Sequence, residues 1–291
     1  PSRGLGDVYK RQGDFDGKNF KCDTPPNEYN FLDYGKDNYA TVCFSGVPDR
    51  VLSIAWMSNW QYANITPIKQ YRGANTLPRE LKLYTGTDGK LYVSNNVVPE
   101  VKALRKNTLT LPAMNVKAVA DKKNIIKSKE NAFELQMDVT PGELATTGVE
   151  LYNAKGEKVK IYFDTKEGKL VMDRTESGLV EFGKRAVPHD IEKNYSDVHQ
   201  GVGNTPFRVF NSINYKNDFA LGTWAPLSLC KGTTYHVDIF VDKCSVEIFV
   251  DGGRIAMTNL VFPTAPYTSV KFYNNGASTS FRNITLSELL L

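Results

Sequence analysis

The stretch WMSNWQYANITPIKQYRGANTLPREL, from Trp56 to Leu81, gathers two tryptophans, two tyrosines and two arginines among asparagines and glutamines. It has almost no helical or strand periodicity, so its residue types say more about chemistry than about local structure. Aromatic rings offer flat apolar surface, and amide and guanidinium groups offer directed hydrogen bonds. A sugar uses both, stacking its C–H faces on the rings and presenting its hydroxyl rim to Asn, Gln and Arg. Cutting a sugar requires in addition two carboxyl groups, one serving as acid and the other as nucleophile or base.

Elsewhere in the chain the groups that could do chemistry are sparse. Asp173, Arg174, Asp242 and Glu247 lie in or beside strand-like segments. Asp242 with Glu247 could be read as a carboxylate pair, but Asp242 precedes a turn and Glu247 falls on the polar side of an alternating strand. Both are therefore expected to be solvated or salt-bridged. His189, His199 and His236 lack ligand spacing, and Cys22, Cys43, Cys230 and Cys244 show no CxxC pattern. No metal site and no cofactor are expected, and the thiols read as free groups buried in strands.

Composition narrows the partners. A net charge of +4, spread without a basic run, is too small to imply nucleic acid, so no nucleic-acid partner is expected, and 41% apolar with 23% charged residues is ordinary for a globular chain. No segment reaches the roughly 18 consecutive apolar residues of a membrane span, so no membrane partner is expected. The compartment is left open. Residues 1–12, PSRGLGDVYKRQ, are basic and unpatterned, and read as a non-native leader ahead of GDFDGKNF.

Positioning the aromatic stretch falls to strands. NYATVCFS and RVLSIAW read as a hairpin around GVPD, and ELKLYTGTDGKLYVS reads as a second one turning at Asp88-Gly89. A connection with two prolines follows, with a helical turn or two around Pro99 to Arg105. It is expected to link one unit (13–105) to another (131–291) through residues 106–130. Beyond it NAFELQMDV, GVELYN, KVKIYFD and KLVMDR alternate between short turns, as sandwich strands do. Tyr235, Val237, Ile239 and Val241 share one face, matched by Val246, Ile248 and Val250 on the next strand. Residues 179–223 lack periodicity and read as a surface insertion.

Five segments in order, GDFDGKNF, LDYGKDNYA, WMSNWQYA, RGANTLPRELKL and FVDKCSVEIFVDGGRIAMTNLVFP, resemble the C-terminal half of glycoside hydrolase family 32, the invertases, levanases and inulinases. The resemblance spans Gly13 to the end, apart from the insertion. It implies an all-β fold: the last one to two blades of an incomplete five-bladed β-propeller, followed by an antiparallel β-sandwich. It implies the chemistry of a retaining β-fructosidase acting on sucrose or fructan, with a covalent fructosyl intermediate and paired carboxyl groups about 5–5.5 Å apart.

The family's nucleophile motif WMNDPNG, its stabilising aspartate in RDP and its acid/base glutamate in EC are not in this sequence. The expectation is that this chain alone has no catalytic residue and no activity, since binding groups alone do not lower a glycosidic barrier. What the resemblance carries over is a share of the substrate-binding wall. Trp56 would flank the fructosyl ring, Asp37 would accept a sugar hydroxyl, and Tyr39 would orient the acid/base. Trp60, Gln61, Arg72, Arg79 and Glu80 also fit the motif, with Arg79 and Glu80 expected to tie neighbouring blades together. Tyr71 stands where many relatives have tryptophan.

Two other readings compete with this one. The sandwich could be a non-catalytic carbohydrate-binding or subunit-interaction module, or Asp37 and Glu80 could form an unrelated glycosidase site. An incomplete propeller would leave sheet faces and an edge strand uncovered, inviting self-association, and a protease-labile N-terminal third.

Overall fold

The computed structural model describes residues 9–10, 13–23, 30–59, 62–63, 66–71, 73–117, 125–184 and 219–290. Most of residues 1–12, most of the 179–223 span, and Trp60, Gln61, Arg72, His189 and His199 lie outside them. Among the described residues every regular element is a β-strand or a short 3-10 turn.

The first strand, β1 (Tyr9–Lys10), is followed by the hairpin β2 (Gly13–Phe15) and β3 (Phe20–Cys22), and by β4 (Asn30–Phe31), which returns to pair with β1. Tyr9 and Lys10, read from sequence as leader, are thus paired; a strand this short shows no alternation to detect. The hairpin turn is closed by Asp16, whose side chain accepts from the Lys18 and Asn19 amides at 2.8 and 2.7 Å.

A four-stranded antiparallel meander comes next, in the order β5 (Tyr39–Cys43), β6 (Val51–Trp56), β7 (Arg79–Thr85), β8 (Leu91–Val97). Both sequence-predicted hairpins are in it. Val and Ile favour the pleated surface, and Gly89 sits at φ +77° where the turn needs a left-handed residue. The β5–β6 register slips between Tyr39 and Val42. Ala40, at φ +50°, makes this bulge, which turns the start of β5 relative to the rest of the strand.

Two larger sheets face each other beyond Pro99. One runs β10 (Met114–Val116), β21 (Thr279–Leu289), β12 (Phe133–Thr140), β17 (Tyr235–Asp242), β18 (Ser245–Val250), β19 (Ile255–Leu260), with β9 (Arg105–Leu111) also paired to β21. The other runs β11 (Ile125–Lys127), β20 (Ser269–Asn275), β13 (Thr146–Tyr152), β14 (Lys158–Asp164), β15 (Lys169–Asp173), β16 (Gly222–Pro226). The alternating residues named from sequence point inward: Val237, Ile239 and Val241 pair in register with Val250, Ile248 and Val246. They pack with Phe133, Leu135, Val149, Ile161 and Phe272 in one continuous core. Each such side chain contributes about 1.5–3 kcal/mol by leaving water.

The span 106–130, expected to be a linker, instead carries most of β9 and all of β10 and β11, which complete both sheets. The two prolines read as marking the connection misled the reading because they sit at element boundaries. Pro99 opens the 3-10 turn Pro99–Leu104, and Pro112 falls between β9 and β10. The cysteines differ in burial from the expectation of buried thiols: Cys230 is buried, Cys22 and Cys244 are half-buried, and Cys43 is exposed on the first strand of the meander.

Meander and sandwich share a packed seam. Leu52, Leu77, Val97, Val98 and Val101 meet Phe240, Phe249 and Ala256 on the outer face of the seven-stranded sheet. Met57 and Tyr62 meet Phe182, Phe219, Leu260 and Phe262. The turn between β18 and β19 reaches the meander's edge, where the Gly253 carbonyl accepts the Asn95 amide at 2.8 Å. A Cβ at Gly253 would stand 2.5 Å from the Asn95 backbone, so only glycine fits.

Candidate functional site

Trp56 ends β6 and Tyr39 begins β5, and the register sets them opposite each other. Their rings meet edge to face, with centroids 6.1 Å apart and planes at 75°. Both are half-buried, which leaves ring surface available at this end of the meander. The chain returns past them at Gly73 to Asn75: Asn75 bridges Trp56, and the Met57 amide donates to the Ala74 carbonyl at 2.8 Å. Gly73 holds φ at +76°, and a Cβ there would stand 2.7 Å from the indole nitrogen, so glycine is what lets the return segment pass the tryptophan. The result is an aromatic corner with two half-buried rings at one end of the meander.

Asp37 is placed differently from the hydroxyl acceptor that the resemblance implies. It is 0% exposed, and both of its oxygens are committed. Oδ2 accepts from Arg174 Nη1 at 2.7 Å and from the Leu260 amide at 2.8 Å, while Oδ1 accepts from the Tyr62 hydroxyl. Arg174, with no role assigned from its sequence context, is equally buried and stacks over the Phe219 ring at 3.9 Å. Fully buried behind these three bonds, the carboxylate presents no surface to a ligand. Burial, against which Arg174 works, holds the Tyr62 hydroxyl well above the usual tyrosine range, so it stays a donor.

A second buried charge cluster lies along the seam. Arg79 Nη1 donates to Asp33 Oδ2 at 2.7 Å, and Nη2 donates to Glu247 Oε2 at 2.6 Å and to the Thr258 hydroxyl. Glu247 also accepts the Leu77 amide at 3.0 Å. Arg79 therefore ties the meander to the sandwich, where the sequence reading had it tie blade to blade. Glu247 is on the outward face, as its parity predicts, but that face is covered by the meander instead of water. Burial pushes its carboxyl upward against the pull of Arg79. Asp242 is exposed and Glu247 buried, so the two are not a catalytic pair. Glu80 pairs with Arg50 at 3.4 Å and Lys82 at 3.2 Å, apart from the partners of Asp37. The two carboxylates are engaged on different networks, which removes the reading of them as one site.

Between the meander and the outer face of the seven-stranded sheet runs a polar cleft of about 460 Å³, lined by Asn96, Arg105, Glu134, Gln136, His236 and Asp238 among others. Its side chains are already ordered by one another. Gln136 Nε2 donates to Asp238 Oδ1 at 2.6 Å, His236 Nδ1 lies 2.8 Å from Asp138 Oδ1, and Arg105 grips Glu134. The sequence did carry a signal for this seam. Phe240 and Phe249 occupy positions where alternation calls for polar residues, which marks a covered outer face.

Known proteins agree with this architecture. Residues 100–288 match the family described as "Glycosyl hydrolases family 32 C terminal", and residues 4–95 match "Glycosyl hydrolases family 32 N-terminal domain". The second match takes in part of the segment read as leader. A levanase of Bacillus subtilis is 29% identical over 95% of this chain and 36% of its own length. An invertase of Schwanniomyces occidentalis is 28% identical over 86% of this chain and 44% of its own length. The chain thus spans a third to a half of these relatives. Among solved structures, the exo-inulinase of Aspergillus awamori superposes with a TM-score of 0.72 at 20% identity, over 96% of this chain and 49% of that one. The β-fructofuranosidase of Schwanniomyces occidentalis, solved with fructosyl-erythritol, gives 0.65 at 23%, over 97% and 52%. At these identities the superpositions speak for the fold alone.

Proposed function

Because the chain belongs to glycosyl hydrolase family 32, we propose that it serves the hydrolysis of fructosyl bonds in sucrose or a fructan. These residues would supply part of the wall that holds the fructosyl ring and not the groups that break the bond. On this reading β5–β8 is the last complete blade of a five-bladed propeller, and the short strands before it belong to the preceding blade. The observation that carries the proposal is the edge-to-face pair of Tyr39 and Trp56, built by a bulge and a glycine return at one end of that blade. Asp37 serves the wall from behind.

The motifs that hold the family's nucleophile, stabilising aspartate and acid/base are absent from this sequence. A retaining mechanism needs two facing carboxyl groups, and neither Asp37 nor Glu247 is free to be one. The purified chain is expected to release no fructose from sucrose, inulin or levan, yet to bind an inulin tetrasaccharide in calorimetric titration. Trp56→Ala should weaken that binding about tenfold, the scale of one ~1.4 kcal/mol contact. Fructose release by the chain itself would refute the division of labour.

The polar cleft favours a second reading, a carbohydrate-binding module in which the sandwich contributes planar hydrogen-bonding groups such as Gln136 and Asp238. The same titration separates the two. Binding that survives Trp56→Ala and is lost in Gln136→Ala belongs to the cleft.

A further inference from the structure

Arg174 stands immediately after β15, in the sandwich, 137 residues along the chain from Asp37. Its guanidinium has four acceptors at the seam. Nε donates to the Phe219 carbonyl at 2.7 Å, Nη1 to Asp37 Oδ2 at 2.7 Å and the Leu260 carbonyl at 2.8 Å, and Nη2 to the Tyr62 oxygen at 3.1 Å. Two of these partners bracket the aromatic corner: Asp37 precedes Tyr39, and Tyr62 follows Trp56. The same two partners are bonded to each other, and Asn59 Nδ2 donates to the Lys36 carbonyl at 2.9 Å.

The segments that enter β5 and leave β6 are outside the strand ladder at Lys36–Asn38 and Met57–Asn59. Their course is therefore set by side-chain bonds and by the backbone bonds of the seam. Asp37 and Tyr62 are the two that a single guanidinium grips at once. Its plane is fixed in turn by stacking on Phe219.

We infer that Arg174 is a positioning residue for the sugar-binding wall, a sandwich side chain that sets the angle between Tyr39 and Trp56 through Asp37 and Tyr62. This rests on the reading of Tyr39 and Trp56 as sugar-facing. An ion pair that served stability alone would need only Asp37, and lysine would supply it. The fork that reaches Asp37 and Tyr62 in fixed directions is a property of arginine.

The test uses the full chain labelled with 5-fluorotryptophan, whose fluorine resonances from Trp56, Trp60 and Trp224 are assigned by Trp→Phe replacement. Arg174→Lys and Tyr62→Phe are expected to shift the Trp56 resonance while leaving that of Trp224, on β16 of the sandwich, in place. Both should weaken inulin-tetrasaccharide binding about tenfold, a loss near 1.4 kcal/mol. Leu135→Ala, buried in the sandwich core, lowers stability without touching the wall and should leave both readouts as in the unsubstituted chain. Tyr62→Phe deletes a single oxygen and keeps the test open where Arg174→Lys does not fold. An unmoved Trp56 resonance with undiminished affinity in Tyr62→Phe overturns the inference. Undiminished affinity in Trp56→Ala overturns the reading of the wall itself, which the resonance shift does not depend on.

Discussion

Arg79 shows how much a single residue carries here. It is 1% exposed and serves two carboxylates, Asp33 and Glu247, that belong to opposite sides of the seam. Removing one member of such a cluster strands the others as buried, uncompensated charge, which costs about 3–5 kcal/mol. Arg79→Met is expected to destabilise the chain by that amount in urea denaturation; a loss under 1 kcal/mol would show the carboxylates to be hydrated. The same residue marks the limit of sequence reading. That Arg79 is structural was legible from its place in the motif, but its partners, up to 179 residues away, were not. Arg174 gave less still, since nothing in DRTESG distinguishes a buried arginine from a solvated one.

At the scale of elements, alternation was a guide to the meander hairpins and to the central sandwich strands, but not to β9 or to the eleven-residue β21. The hairpins β5–β6 and β7–β8 and the meander β17 to β19 follow from Val, Ile and Tyr spacing and from the Asp88-Gly89 turn. Strands β9 to β11 were hidden, because β9 is mostly polar and runs into Pro112, because β10 and β11 have three residues each, and because their pairing with β21 and β20 is a long-range fact. The aromatic corner was legible as composition, but its geometry was not, since it depends on the bulge at Ala40. An L-residue at φ +50° costs about 1–2 kcal/mol relative to its ordinary regions, and glycine does not pay that cost. Ala40→Gly is expected to raise stability by about 1 kcal/mol with the β5–β6 register unchanged; a loss of stability would mean that the methyl group packs usefully.

The whole molecule behaves as one unit on this account. From sequence, the N-terminal third was expected to be the labile part, parting from the sandwich near Lys106. The seam argues otherwise, with two buried charge clusters and two apolar clusters spanning it. Heating is expected to give one transition by fluorescence and by limited proteolysis together; early cleavage within β5–β8 would show that the seam does not couple them. Val42, Val51, Leu83 and Leu91 remain exposed on the meander.

Alkaline pH gives an independent measure of the same packing. Burial raises the hydroxyls of Tyr34, Tyr62, Tyr267 and Tyr273 far above the ordinary value, and pushes Tyr84 up to about 12. Because the folded values exceed the unfolded value of about 10, their contribution is complete below that pH and is lost as pH rises through the folded values. Unfolding free energy should therefore fall above about pH 10, with tyrosinate absorbance rising in step with unfolding. Titration of all tyrosines near 10 in the folded chain would contradict it.

The divided ownership of these charges has a practical consequence for anyone grafting parts among relatives. Asp33, Asp37 and Arg79 travel with the meander, whereas Arg174 and Glu247 travel with the sandwich. A chimera that joins one protein's blade to another's sandwich inherits half of each handshake. Exchange is expected to succeed only between donors that match at all five positions.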